Sequence, residues 1–325
     1  GKLFNGLLGR AVRGVGFGLV CQVGQVDGHR IPLLRQVIRT RQKDRSEAQL
    51  KADTLRWVKH HLDASEVAII DAGVEISDMQ AIEMPQYVIR MALNCTGRRN
   101  YLPAYKGRGC HPKWGEKVRP LSRTHLENVI EATPPDSCET IHFEGRDITV
   151  HGWSDLISPI YKPGEAPASF AIWVFFDPLY ETPLVLGSNL TQAQPLTIFC
   201  LYLDRWPVEQ IPLVAKQMLG LHRQFVFAPE SCCRLPELAF LLGNILTYLA
   251  AVLPPLPTGF WDRRPKKHLD ACDGSYPAHH FLKMLFLTPN FAKRLLLRLI
   301  YRRVWPLIAG KRHQLNDSHQ FNTVI

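Results

Sequence analysis

The sequence predicts an α/β fold: a mixed β-sheet flanked by helices, interrupted by a β-rich insertion and followed by a basic, partly helical C-terminal tail. Three observations carry this. The first 94 residues alternate strand and helix signals. Composition shifts near residue 95 toward Gly, Pro and basic residues, with β-type runs at 139–151 and 169–176. Long helical patterns then return at 196–221 and 235–253. The expected division is 1–94 and 187–257 as two parts of one core, 95–186 as the insertion and 258–325 as the tail.

Residues 15–38 read as two β runs joined at Asp27-Gly28, a dipeptide suited to a hairpin turn. Across 44–62, Leu50, Leu55, Val58 and Leu62 recur at helical spacing, with Asp44 or Ser46 as cap. Glu66 to Gly73 reads as a short buried strand that ends on Asp71 and a glycine. A brief helix over 74–82 leads to the strand Tyr87–Leu93. Beyond Pro254-Pro255 come the basic run Arg263–Lys267 and an amphipathic stretch at 291–305.

Composition narrows the function. The 325 residues suit two domains, or one core with a large insertion. Hydrophobic residues at 46% and charged residues at 21% exclude global disorder. Thirty-nine Lys+Arg against 29 Asp+Glu leave +10, which points to a polyanion, either nucleic acid or an anionic membrane surface. Eight scattered cysteines without C-x-x-C argue against a zinc ribbon or a disulfide scaffold and fit a reducing cytosol. No signal peptide opens the chain, and its start at Gly1 leads us to expect a missing front end.

Chemistry concentrates in Tyr202-Leu-Asp-Arg205-Trp-Pro-Val-Glu209, continuing to Lys216. At about 100° per residue, with Tyr202 at zero, Arg205 falls at about 300°, Glu209 at about 340° and Lys216 at about 320°. One face would then offer a carboxylate, two cations and a phenol, suited to holding a metal ion beside a phosphodiester. An i,i+4 ion pair on a solvated face accounts for Arg205 and Glu209 but leaves Tyr202 and Lys216 unexplained. Pro207 and Pro212 lie inside this segment, and an interior proline costs about 3 kcal/mol, so a kink around Glu209 is expected.

The spacing Y-x2-R-x3-E-x6-K resembles the signature of the IS4-type DDE transposases of bacterial insertion sequences. The resemblance implies an RNase H-like core. Glu209 would be the last member of an Asp-Asp-Glu metal triad, and Tyr202, Arg205 and Lys216 would contact DNA. Asp71 resembles the second Asp, and the 138-residue separation of Asp71 and Glu209 fits the β-rich module that this family inserts there. By the same resemblance, Mg²⁺ or Mn²⁺ would be the cofactor, with two ions in the intact enzyme. Double-stranded DNA, both insertion-sequence ends and target, would be the partner. The protein would act as a homodimer on paired ends, in the bacterial cytoplasm at the nucleoid and not on a membrane.

One member of the triad is missing. In an RNase H-like sheet the first Asp lies on a central strand that precedes the 15–38 hairpin, and no Asp or Glu occurs upstream of residue 15. The expectation is a fragment that neither nicks nor joins DNA alone, since two-metal transfer needs carboxylates holding ions about 3.5–4 Å apart. A missing central strand would also leave two rows of unpaired backbone groups, with residues 2–8 as a poor substitute and low stability as the result.

Other signals are weighed against plainer readings. Lys106, Arg108, Lys113, Lys117, Arg119 and Arg123 interleave with Tyr105 and Trp114, as in a loop that neutralises phosphates and stacks a base. An ordinary solvated loop is the alternative. Trp153 fits either base stacking or core packing. Gly14-x-Gly16-x-Gly18 reads as a turn entering a strand rather than a dinucleotide loop, and Cys110-His111 has no metal-ligand partners at standard spacing. Leu238–Leu253 is apolar but falls short of the roughly 20 residues that span a bilayer, and Asn244 interrupts it. A buried helix is expected there. A catalytically silent DNA-binding remnant and a basic peripheral membrane protein are the two rival readings.

Overall fold

The computed structural model describes residues 2–5, 10–26, 29–39, 46–71, 73–221, 228–252 and 322–324. The Asp27-Gly28 turn, the Asp44 cap and the basic tail through residue 321 lie outside the described residues. The chain divides into two compact units. The first comprises Gly1–Val20, Gln36–Arg205 and Asn322–Ile325, and the second comprises Cys21–Arg35 and Trp206–Phe321.

The elements begin with four strands, β1 (Lys2–Asn5), β2 (Arg10–Arg13), β3 (Phe17–Val26) and β4 (His29–Arg39). Helix α1 (Glu47–His61), strand β5 (Ala68–Ile70), helix α2 (Ile76–Ala81) and strand β6 (Tyr87–Arg90) follow. Next come β7 (Gly97–Arg99), β8 (Lys117–Val118), β9 (Arg123–His125), β10 (Asn128–Ile130), β11 (Ser137–Phe143), β12 (Arg146–Ile157), β13 (Phe170–Phe176) and β14 (Leu184–Ser188). Helix α3 (Pro195–Leu203), a 3₁₀ turn (Trp206–Glu209), α4 (Gln210–Gln217), α5 (Pro229–Val252) and β15 (Asn322–Val324) complete the order. The chain is thus a mixed α/β protein whose mixed sheet is flanked by helices.

Eleven strands form that sheet in the order β4-β3-β15-β5-β6-β14-β13-β12-β7-β8, with β11 also on β12. β5 is parallel to β15 on one side and to β6 on the other. β6, β14, β13 and β12 then pair antiparallel in succession. The β-rich stretch after residue 95 therefore extends the same sheet. The run at 139–151 is two strands, β11 and β12, because Glu144 and Gly145 both take positive φ (48° and 77°) and turn the chain.

Within the 2–8 stretch, the described residues 2–5 do not fill the central slot: β1 pairs with β2 in a separate two-stranded sheet. Asn322–Val324 takes that place instead, aligning Thr323 with Ala68 and Val324 with Ile69. The expectation of two unpaired backbone rows is corrected accordingly.

Alternation sorts the first unit's side chains onto two faces of the sheet. Ala68, Ile70, Tyr87, Ile89, Phe170, Ile172 and Val174 share a core with Leu55 and Val58 of α1 and Ile76 and Met79 of α2. On the opposite face, Phe199 of α3 packs its ring 5.1 Å from Phe175 and 5.2 Å from Phe143. Helix α1 starts where sequence chemistry places it. The Gln49 N–H donates to Ser46 Oγ and the Ser46 N–H donates to Gln49 Oε1, a complete capping box. Gly18 lets β3 approach α1, since a Cβ there would lie 2.7 Å from Thr54 Oγ1.

In the second unit α4 packs on α5. Gly243 makes that approach possible, because a Cβ there would stand 3.0 Å from the Ile211 carbonyl oxygen. Val214 and Leu246 are buried at the contact. Among the described residues no helix is long and apolar enough to cross a membrane. The polar interruption of α5 has a structural purpose. Asn244 is buried, its Nδ2 donates to the Pro32 carbonyl at 2.5 Å, and its Oδ1 accepts from the Leu34 N–H at 3.1 Å. Strand β4 is the sheet's edge, where proline is tolerated and backbone groups lack a strand partner, and one amide side chain satisfies two of them. Asn244→Ala should therefore lower stability by about 1–3 kcal/mol, the range for stranding buried backbone groups, as read by chemical denaturation.

Candidate functional site

Asp71 leaves the C-terminal end of β5, whose residues Ala68, Ile69 and Ile70 are all buried. Alternation puts its side chain on the face of Ile69, the side that α3 covers. Three groups meet its carboxylate there. The Tyr202 hydroxyl donates to Oδ1 at 3.2 Å, Arg205 Nη1 lies 3.3 Å from Oδ2, and Arg90 Nη1 lies 3.7 Å from Oδ1. The Arg205 guanidinium also sits 5.5 Å from the centroid of the Tyr202 ring.

Two of these partners come from the sequence-predicted segment, and the third was missed. Arg90 had a readable signal: the parallel register pairs Ile70 with Ile89, so the next residues, Asp71 and Arg90, fall side by side. Tyr202 is 7% exposed, and Asp71 and Arg205 keep 39% and 14% of their side-chain surface. The phenol is shielded while the carboxylate stays open to solvent.

The single-face arrangement over 202–216 is corrected. Helix α3 stops at Leu203, and Pro207 sits in a 3₁₀ turn, as expected where an interior helical N–H is absent. Helix α4 then starts afresh, with Pro212 in its first turn, where the missing N–H has no intrahelical acceptor to lose. Glu209 closes the 3₁₀ turn and caps α4, and exposed Lys216 occupies the last turn of α4, seven residues on and on the same side of that helix. Glu209 and Lys216 belong to the second compact unit.

Around Asp71 the first unit supplies one carboxylate and one phenol against two guanidinium groups, so by itself this set does not fit a divalent cation. Among the described residues no group of three or more His, Cys, Asp or Glu side chains forms a metal centre. Cys21 is buried and Cys95 half-buried, and desolvation pushes both thiols up to about 12, so they are chemically quiet.

Neither the family models nor the curated proteins compared with this chain match it.

The remaining sequence-predicted residues separate into two groups. Lys106, Arg108 and Lys113 stand exposed on the loop before β8. That loop is shaped by Gly107 and Gly109 at positive φ, by Tyr105 stacked on His111 at 4.0 Å, and by the Tyr105 hydroxyl donating to the Gly109 carbonyl. Arg119 is half-buried, with its backbone bonded in both directions to Thr133. Trp153 belongs to the core and is withdrawn as a stacking residue. It is 1% exposed, and its Nε1 donates to the carbonyls of Thr133 and Pro134.

Burial, and then the Asp71 carboxylate, holds the Tyr202 phenol above its ordinary value of 10.0, against the opposing pull of Arg205 and Arg90. A phenol whose folded pKa is raised favours folding below the unfolded pKa. That contribution is lost as pH climbs from there through the folded value. Absorbance titration of the wild type minus Tyr202→Phe should show this ionisation above pH 10.0, and Asp71→Asn should move it part-way back.

Proposed function

We propose that this chain is an IS4-type DDE transposase core with an RNase H-like fold, built to act on the phosphodiester backbone of insertion-sequence ends and catalytically silent as it stands. The observation that carries the reading is the meeting of Asp71, at the tip of a buried parallel strand, with Tyr202 and Arg205, two members of the Y-x2-R-x3-E-x6-K signature. A signature that also describes a solvated helix does not require its first two residues to converge on a strand-end carboxylate 131 positions away.

In this reading Asp71 and Glu209 would be the ligands of Mg²⁺ or Mn²⁺, which would supply activation of water and neutralisation of charge at the leaving oxygen. Arg205, Arg90 and Tyr202 surround Asp71 beforehand, so an incoming phosphodiester finds the cations in place. Lys216 contacts backbone phosphate as a point charge. The basic loop of Lys106, Arg108 and Lys113 adds sequence-independent affinity. The protein acts as a homodimer on paired DNA ends, in the cytoplasm at the nucleoid.

The strand beside β5 supports the silence. Its residues Asn322, Thr323 and Val324 include no acid, so it adds no third carboxylate to the Asp71 and Glu209 that the resemblance assigns, where two-metal chemistry uses three. The same observation favours the DNA-binding remnant as the second reading.

Electron paramagnetic resonance of free Mn²⁺ titrated with the full chain tests the metal site. Binding should be weak and should fall several-fold further in Asp71→Asn and in Glu209→Gln. A titration that neither substitution alters would remove the metal assignment. With supercoiled plasmid and Mn²⁺ we expect DNA binding that weakens steeply with salt and no nicking above the Glu209→Gln background. Robust Mn²⁺-dependent joining would refute the silence, and absence of DNA binding at low salt would refute the function.

A further inference from the structure

At the β8 edge of the large sheet, four cations lie close together. Arg98 and Lys117 are direct cross-strand partners in the β7–β8 ladder. Arg119 lies two residues beyond Lys117, and Arg123 lies close enough to repel its ammonium together with the other two guanidinium groups. Among the described residues none of the four is in an ion pair. Like charges directly opposite in a ladder are destabilising, so this arrangement needs a reason.

The neighbouring arginines show how this protein treats structural cations. Arg99, one residue from Arg98, holds both oxygens of Asp136 at 2.6 Å, and Arg146 pairs with Asp177. Arg98, Arg119 and Arg123 each instead keep a solvent-shielded Nε without a hydrogen-bond partner. Their placement is nevertheless fixed. Arg98 Nη1 donates to the Gly115 carbonyl at 3.0 Å, and the Arg123 guanidinium donates to the Asn94 carbonyl at 3.3 Å. Arg119 is tied through its backbone to Thr133. Gly115 is required for this packing, since a Cβ there would collide with the Arg99 carbonyl. Slight desolvation of this exposed side chain, and then Arg119, Arg123 and Arg98, pull the Lys117 ammonium below the usual lysine range.

We infer that Arg98, Lys117, Arg119 and Arg123 form a preorganised phosphodiester-binding site on the β7–β8 edge, apart from Asp71. Four neighbouring cations suit repeated backbone charge better than a single phosphate. Trp114, 40% exposed with the Arg98 guanidinium 5.1 Å from its ring centroid, adds an aromatic surface on which a base can stack. These features favour DNA over an anionic membrane. The choice of DNA rests on the function proposed above, whereas the site itself uses neither Asp71 nor Glu209.

The test is fluorescence anisotropy of the full chain with a labelled duplex over a series of NaCl concentrations. Lys117→Gln and Arg119→Gln should each weaken binding several-fold at low salt and reduce the salt slope by about 0.9, the increment for one phosphate contact. Without DNA, Lys117→Gln should melt no lower than the wild type, because it removes repulsion, and Mn²⁺ binding should be unchanged. An unaltered slope in the double variant overturns the site, as does loss of phosphatidylserine-vesicle binding with DNA binding intact. A reduced slope alongside Mn²⁺ binding that ignores Asp71 and Glu209 keeps this site and removes the transposase reading. The converse pattern does the reverse.

Discussion

The first unit is organised around the need of β5 for a parallel partner on each side. Its three residues are apolar and buried, so no water reaches their backbone groups, and every N–H and C=O must find a strand. β6 provides one edge and β15 the other. Only in that frame does Asp71 emerge at a fixed point on the α3 side, within reach of a phenol from one element and guanidinium groups from two others.

The electrostatics of that point are unusual for a metal-binding carboxylate. Asp71 is surrounded by positive charge and a hydrogen-bond donor. Such surroundings stabilise a lone anion and at the same time hold arginines ready for another. The β7–β8 edge presents the complementary situation, with cations assembled on cations. Both clusters of cations accord with a chain carrying ten excess positive charges.

Much of the architecture could be read before folding. The Ser46 cap, the apolar spacing of α1, the strand ending at Asp71 and the helical character of 235–252 follow from local patterns that tertiary contacts reinforce. Other features depend on partners far away in the chain. The run at 139–151 is β-type throughout, but its apolar alternation slips phase between Ile141 and Phe143 on one side and Ile148 and Val150 on the other, where Glu144-Gly145 turns the chain. The straight-helix projection over 202–216 assumed that Pro207 only bends a helix, whereas it ends one. Tyr202 and Arg205 were identified by spacing, but Arg90 becomes visible only once the parallel register is known. Trp153 was ambiguous because stacking on a base and packing in a core draw on the same flat, apolar ring.

The strand that completes the sheet has a temporal consequence. Ala68 is synthesised long before Thr323, its ladder partner, and a loop of that span is slow to close. Throughout translation the inner edge of β5 stays uncovered, open to any extended segment that arrives sooner, whether from the same polypeptide or from a neighbour. Yield of correctly assembled protein should then fall the longer that edge waits.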